Sequence, residues 1–161
     1  MIELLKNGVL EHMELPVIHL DSHYWQAGWT PTPNDEWDKF LKETVSGEEW
    51  IVDGNYTRTL DIRLQASDTI VFLDMRRLLC MYRIIKRRLM YHGKSRPDLN
   101  EACEEKLDAE FFVWVWNYRK KVRPKVLEAI RQHGEGKQTV ILTSRKEVEV
   151  FFEQYLRMIG S

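Results

Sequence analysis

Short apolar runs alternate with longer segments of helical periodicity along most of this chain. Four of these runs predict strands, at residues 16–20, 49–52, 69–73 and 139–142. Their apolar residues are continuous rather than alternating, which is typical of strands covered by helices on both faces, as in a parallel sheet. The pattern therefore predicts an α/β fold in which strands and helices follow one another along the chain.

Several helix boundaries are also marked in the sequence. The Thr32-Pro33 pair predicts the start of one helix, with the threonine hydroxyl as its cap. The segment Ser144-Arg145-Lys146-Glu147 has the form of a capping box and predicts the start of the C-terminal helix. Residues 75–91 predict one long helix, and Pro124 predicts a break within the helical stretch 103–132.

The length and composition fit one folded domain over residues 1–161. A chain of 161 residues with 43% hydrophobic residues can bury a core of ordinary size. Basic and acidic side chains nearly balance, 24 against 25, so the net charge favours neither nucleic acid nor an anionic membrane as the main partner. The two cysteines form no CxxC motif and the apolar runs are shorter than a membrane span, so we expect a cytoplasmic protein.

The most specific candidate for chemistry is the segment Asp53-Gly54-Asn55, which follows the second predicted strand. Ligands of open α/β sheets bind at the carboxyl ends of the strands, and Gly54 would let the backbone approach a ligand closely. Asp53 is a candidate ligand of Mg²⁺, and Arg58 follows it closely enough to reach a phosphate. The alternative interpretation is an Asp-Gly turn followed by an ordinary solvated arginine.

A second candidate is the basic run between Arg76 and Arg96, which includes Arg87 and Arg88. It contains eight basic side chains and no acid. Because guanidinium groups neutralise the charge of a transferring phosphoryl group, the run predicts phosphate binding. A solvated helix face and a patch for nucleic-acid phosphates are the alternatives.

A third candidate consists of His19, Asp21 and His23. In an extended strand the three side chains would point the same way, which would suit a metal site and a metal-dependent hydrolase. The interpretation favoured here packs His19, directs Asp21 to the ligand edge, and makes Trp25 and Trp29 an aromatic wall that could stack on a planar substrate. A purely structural role for the two tryptophans is equally consistent with the sequence.

A set of short motifs occurs in order from about residue 15 to residue 155. The motifs are His19-Leu20-Asp21, Tyr24-Trp25, Gly28-Trp29, Trp50-Ile51-Val52-Asp53-Gly54-Asn55-Tyr56, Arg58-Thr59-Leu60, Ala66-Ser67-Asp68-Thr69-Ile70, Phe72-Leu73-Asp74, Arg83, Lys86-Arg87-Arg88, Gly93-Lys94-Ser95-Arg96-Pro97-Asp98, Trp116-Asn117, Arg123-Pro124-Lys125 and Ser144-Arg145-Lys146. In this order they resemble the bacterial DNA topology modulation protein family (FlaR-type), which is itself similar to adenylate kinase and other small P-loop kinases.

The resemblance implies a three-layer P-loop NTPase-like fold, with a parallel sheet between helices and a lid at about residues 88–104. It also implies phosphoryl transfer from ATP, with Mg²⁺, to a nucleotide or another small phosphate acceptor. The implied catalytic residues are Asp53, which is also the metal ligand, and Arg88, Arg119 and Arg123. The implied ligand-binding residues are Asp21, Trp25, Gly54, Asn55 and Arg58 for the substrate, and Arg87, Arg96 and Arg145 for the nucleotide.

The sequence departs from the family pattern at its beginning. Members of the family start with a strand and a GxxxxGK[ST] loop, whereas residues 1–13 resemble only the helix after that loop. We therefore expect impaired ATP binding and a sheet without its first strand, in which the strands at 49–53 and 69–74 pair directly or a homodimer covers the gap. The alternative function is a regulatory or DNA-topology-related binding protein without catalysis, whose partner would be DNA.

Overall fold

The computed structural model describes residues 17–90 and 109–159, with side chains up to residue 154. The strands are β1 (Val17–His19), β2 (Trp25–Gln26), β3 (Thr30–Pro31), β4 (Ile51–Asp53), β5 (Thr69–Leu73) and β6 (Gln138–Leu142). The helices are α1 (Leu20–Tyr24), α2 (Asn34–Val45), α3 (Leu60–Ala66), α4 (Arg77–Met90), α5 (Ala109–Lys121), α6 (Arg123–His133) and α7 (Arg145–Ile159). The mixed α/β class predicted from the apolar runs is confirmed.

The described strands form three sheets of two strands each. β1 pairs in parallel with β4, and β5 pairs in parallel with β6, while β2 and β3 form a short antiparallel hairpin. The predicted parallel pairing is present. The prediction that the strands at 49–53 and 69–74 pair directly with each other is wrong for the described residues. Each of those strands takes its ladder hydrogen bonds from a different neighbour, β4 from β1 and β5 from β6.

Helices cover both faces of the β5–β6 pair, as the continuous apolar run of β5 predicted. Ile70 and Phe72 pack into one core cluster with α3 and α6. Leu73 and the partly buried Val71 pack into another, with α4, α5 and α7. This alternation follows from the two-residue period of a strand, which sends successive side chains to opposite faces.

A third core cluster lies beside β1 and β4. It is built from Leu20, Trp37 and Leu41, none of which exposes more than 1% of its surface. The partly buried side chains of Val52 and Tyr56 pack against it. The cluster therefore anchors the carboxyl ends of β1 and β4 to α2.

The predicted capping box forms at the start of α7. The backbone N–H of Glu147 donates to Ser144 Oγ at 3.2 Å, and the Glu147 carboxylate accepts the N–H of Thr143 at 2.8 Å. The bond from the Thr143 N–H, with those from the Ser144 and Thr143 hydroxyls, lowers the pKa of the Glu147 carboxyl from its usual value. The predicted break near Pro124 is confirmed as well, because α5 ends just before α6 begins at Arg123.

The predicted cap of α2 is wrong. This helix begins at Asn34 after Pro33 and has no side-chain cap. The Thr32 hydroxyl instead contacts the carbonyl oxygens of His23 and Tyr24, at 3.0 and 2.9 Å. These two contacts hold the β2–β3 hairpin against α1. The Thr32 hydroxyl therefore stabilises tertiary structure instead of capping α2.

Candidate functional site

The carboxyl ends of β1 and β4 place His19 directly beside Asp53. The two residues are partners in the strand register, and His19 Nδ1 lies 3.1 Å from Asp53 Oδ2. The Asp53 side chain is 7% exposed and the His19 side chain 30% exposed. Because an ionised carboxylate can only accept hydrogen bonds, this geometry favours the tautomer in which Nδ1 donates and Nε2 keeps its lone pair.

A buried arginine, Arg63, holds the loop that follows β4. Its guanidinium donates to the carbonyl oxygen of Gly54 at 2.9 Å and to that of Tyr56 at 2.7 Å. Burial lowers the pKa of Arg63 to about 10, although the nearby Asp53 charge opposes this shift. Arg63 was not predicted, yet its place between Leu60 and Leu64 on the apolar face of α3 is a signal that the sequence contains.

Gly54 allows this loop to pass tightly over the core. Its φ is +155°, and a Cβ atom there would lie 2.6 Å from Cβ of Leu20, which is fully buried. A side chain at this position would therefore overlap the third core cluster. The structure gives Gly54 a packing role, and the expected approach of a ligand to its backbone stays a prediction.

Asp21 faces the same loop from α1. The Tyr56 hydroxyl donates to Asp21 Oδ1 at 2.8 Å. Burial raises the pKa of Tyr56 above its usual value, and the charge of Asp21 raises it further. The phenol therefore remains a hydrogen-bond donor, which fixes Asp21 at the carboxyl edge of the β1–β4 pair.

Aromatic rings lie next to one another between α1 and the turn that joins β2 to β3. Trp25 and Trp29 lie edge to face with ring centroids 5.5 Å apart, and Tyr24 contacts Trp25 at 5.0 Å. The turn between β2 and β3 brings the tryptophans together because Gly28 and Trp29 both adopt positive φ, 72° and 64°. Stacking of a planar substrate on these rings stays a prediction.

A second polar group lies at the carboxyl end of β5. Arg123 donates to both carboxylate oxygens of Asp74, over 2.7–2.9 Å, and these bonds raise the pKa of Arg123. The backbone N–H of Asp74 donates to the carbonyl oxygen of Leu142, which fixes the carboxylate at the end of the β5–β6 pair. The pairing with Asp74, which the sequence did not indicate, orients the predicted catalytic Arg123.

Tyr118 of α5 links the two polar groups. Its hydroxyl points to Asn55 Oδ1 at a donor–acceptor distance of 3.4 Å. Burial raises the pKa of Tyr118 to about 12, with a further contribution from the Asp74 charge. Tyr118 therefore interacts with both the loop after β4 and the Arg123–Asp74 pair. We call this region the strand-end site; its members are His19, Asp21, Asp53, Asn55, Tyr56, Asp74, Tyr118 and Arg123.

Arg58 lies outside this site. Its guanidinium contacts both carboxylate oxygens of Asp38, one of them at 3.1 Å, and donates to the carbonyl oxygen of Asn34 at 3.2 Å. These bonds attach Arg58 to α2. Its predicted role in substrate binding stays a prediction.

Three of the predicted catalytic and nucleotide-binding arginines lie on α4 and α5. Arg87 and Arg88 are half-buried near the end of α4, and Arg119 is exposed on α5. Their predicted roles depend on a ligand and stay predictions.

Of the two other predicted nucleotide contacts, Arg145 lies within the described residues and Arg96 does not. Arg145 donates to Glu149 at 2.8 Å on the exposed face of α7. Arg96 and most of the predicted lid at about residues 88–104 lie outside the described residues. Of this nucleotide-binding set, Arg145 is therefore held by a contact within α7, and the roles of Arg87 and Arg96 stay predictions.

The prediction that His19, Asp21 and His23 share one face of an extended strand, as a metal site would require, is wrong. Helix α1 begins at Leu20, so the three side chains do not share one strand face. His19 contacts Asp53, Asp21 contacts Tyr56, and the His23 ring stacks on Phe40 at 4.5 Å. Within residues 17–90 and 109–159, no group of three His, Cys, Asp or Glu side chains is arranged to hold a metal ion.

Comparison with known proteins identifies no relative. No protein-family model, curated protein or solved structure matches this chain. Among the described helices, none combines the length and the apolar character needed to cross a membrane. The class that the structure defines is a mixed α/β protein with parallel strand pairs and a polar site at their carboxyl ends.

Proposed function

We propose that the strand-end site binds the phosphate-bearing substrate of a phosphoryl-transfer enzyme with a P-loop kinase-like fold. The observation that supports this proposal most directly is the contact between Tyr118 and Asn55. Asp53 lies at the carboxyl end of β4 and the Arg123–Asp74 pair at that of β5, and Tyr118 interacts with both the loop after β4 and the charge of Asp74. Ligands of α/β proteins bind at this edge, and phosphoryl transfer depends on positioning and charge stabilisation there.

The site contains groups suited to both ends of a phosphorylated acceptor. Arg123 is the cation that would bind phosphate oxygens, because Asp74 accepts from only some of the N–H donors of the Arg123 guanidinium. Asp21 and the His19–Asp53 pair supply acceptors for hydroxyl groups. A small molecule with both a phosphate and hydroxyl groups, such as a nucleotide, matches this division.

Mg²⁺ and ATP belong to the same proposal. Asp53 is the residue that would hold Mg²⁺, because a carboxylate is the hard oxygen ligand that this ion prefers. When bound, the ion would neutralise charge on the phosphate oxygens. Since the sequence has no GxxxxGK[ST] motif, we expect this chain to bind ATP more weakly than a phosphorylated acceptor.

Nuclear magnetic resonance titration tests the proposal. Inorganic phosphate and AMP should shift the backbone signals of Asn55, Tyr118 and Arg123 together, and R123M should weaken binding at least tenfold. R131M is the matched control, because Arg131 is exposed on the same helix and pairs with Glu128. Equal effects of the two variants, or shifts confined to surfaces away from Asn55, would contradict the proposal.

The alternative of a DNA-binding regulator is supported by one feature, the concentration of basic residues in α4 and α5. The same titration with duplex DNA tests this alternative. Tight binding that falls steeply with salt and is not displaced by AMP would favour it over the phosphoryl-transfer proposal.

A further inference from the structure

A row of apolar side chains is exposed along α4. Leu78, Tyr82, Ile85 and Leu89 expose 74, 61, 47 and 75% of their surfaces. They follow one another at intervals of four, three and four residues, which aligns them on one narrow stripe of the helix. We call these four residues the α4 seam. The opposite face of α4 holds the core residues Cys80 and Ile84.

The shape of the seam indicates the kind of surface that would cover it. Its 4-3-4 spacing is that of helices that pack side by side, and its length from Leu78 to Leu89 is about 16 Å, or three helical turns. Helices that lie on a membrane usually have a broader apolar face. The α4 seam therefore fits a second helix better than a lipid surface.

The charges around the seam indicate the chemistry of that helix. Helices α4 and α5 together contain eight basic side chains and one acid, Glu110, although the whole chain has a formal net charge of −1. Lys86 lies on α4 beside the seam, and the other bases of α4 lie further round the helix. Two copies of α4 packed seam to seam would bring basic side chains together, and like charges at such positions disfavour pairing.

An aromatic and arginine pair joins α5 to this surface. The Arg77 guanidinium lies 4.6 Å from the centroid of the Trp116 ring, and Trp116 is 49% exposed. Tryptophan and arginine are the residues that most often carry binding energy at protein interfaces. The exposed surface thus extends from α4 to Trp116 on α5.

From the spacing, the exposure and the charge, we infer that the α4 seam is a docking surface for an amphipathic helix with acidic flanks, supplied by a partner protein. The partner's apolar residues would pack between Leu78 and Leu89, and its acids would face Lys86. This inference does not depend on the proposed function, because none of these residues belongs to the strand-end site.

The test uses a synthetic helical peptide with leucine at the seam-facing positions and glutamate beside them. Fluorescence anisotropy with the full chain should show at least tenfold tighter binding than for the same peptide with lysine flanks or with its leucines moved off the seam. I85S and L89S should each weaken binding at least tenfold, whereas V150S, at an exposed site on α7, should not. K86E should reduce the preference for acidic flanks. Because all of these side chains are exposed, the variants should keep the same circular dichroism spectrum.

Three results would overturn the inference. Equal binding of acidic and basic peptides, or no binding, would remove the acidic helix as the occupant. Binding to vesicles of phosphatidylcholine and phosphatidylglycerol that is lost in L89S would assign the seam to a lipid surface instead. A dimer in light scattering that I85S dissociates would assign it to a second copy of the chain.

Discussion

Replacing Gly54 with alanine tests how the strand-end site is attached to the core. A Cβ atom at this position would lie 2.6 Å from Cβ, 2.8 Å from Cδ1 and 3.0 Å from Cγ of Leu20. Leu20 has no exposed surface and packs with Trp37 and Leu41, so it has little room to move. Overpacking of this kind costs about 1–3 kcal/mol, and the φ of +155° adds strain of about 1 kcal/mol or more. We therefore expect G54A to lower the free energy of unfolding by about 2–4 kcal/mol.

Urea denaturation followed by circular dichroism measures this difference. G136A is the matched control, because Gly136 also has a positive φ, 75°, but no atom within 4 Å of the added Cβ. The control should lose about 1 kcal/mol, from backbone strain alone. If G54A loses no more than G136A, the contact with Leu20 does not constrain the loop, and the packing role of Gly54 is refuted.

Two further predictions concern a helix cap and a buried phenol. S144A should lower the free energy of unfolding by about 1 kcal/mol in urea denaturation, because it removes the capping acceptor of α7. S46A, at an exposed helix end, should lower it clearly less. Equal losses in the two variants would contradict the capping role of Ser144. Since the folded-state pKa of Tyr118 is raised to about 12 from 10.0, its contribution to stability is complete below pH 10 and is lost as the pH rises to about 12. Urea denaturation across this window should show a smaller alkaline loss in Y118F than in the wild type, with Y82F, at an exposed site, as the control; identical losses in all three would contradict the shift.

Local sequence patterns predicted the elements whose structure is decided locally. The apolar run at 69–73 has the same bounds as β5, because a strand buried on both faces needs an uninterrupted apolar sequence. The capping box was predictable because all its hydrogen bonds lie within one turn. The α1 helix and the β2–β3 hairpin were missed, since tertiary contacts such as those of the Thr32 hydroxyl stabilise them.

The candidate site was predictable only in part, for the same physical reason. Asp53 and Gly54 were found because a strand followed by Asp-Gly is a local signal. Their partners come from distant parts of the chain: His19 is 34 residues away from Asp53, and Tyr118 is 63 residues away from Asn55. No periodicity relates such positions, so the pairing of strands and helices had to be known first.

Arg123 is already paired with Asp74, which limits how the strand-end site can bind a phosphate. Asp74 accepts from Nε and one terminal nitrogen of Arg123, and His19 pairs with Asp53. A guanidinium has five N–H donors, so the second terminal nitrogen of Arg123 can still donate to another acceptor. A phosphate would therefore join the Arg123–Asp74 pair rather than replace Asp74, and the fixed carboxylate would determine the direction from which it approaches.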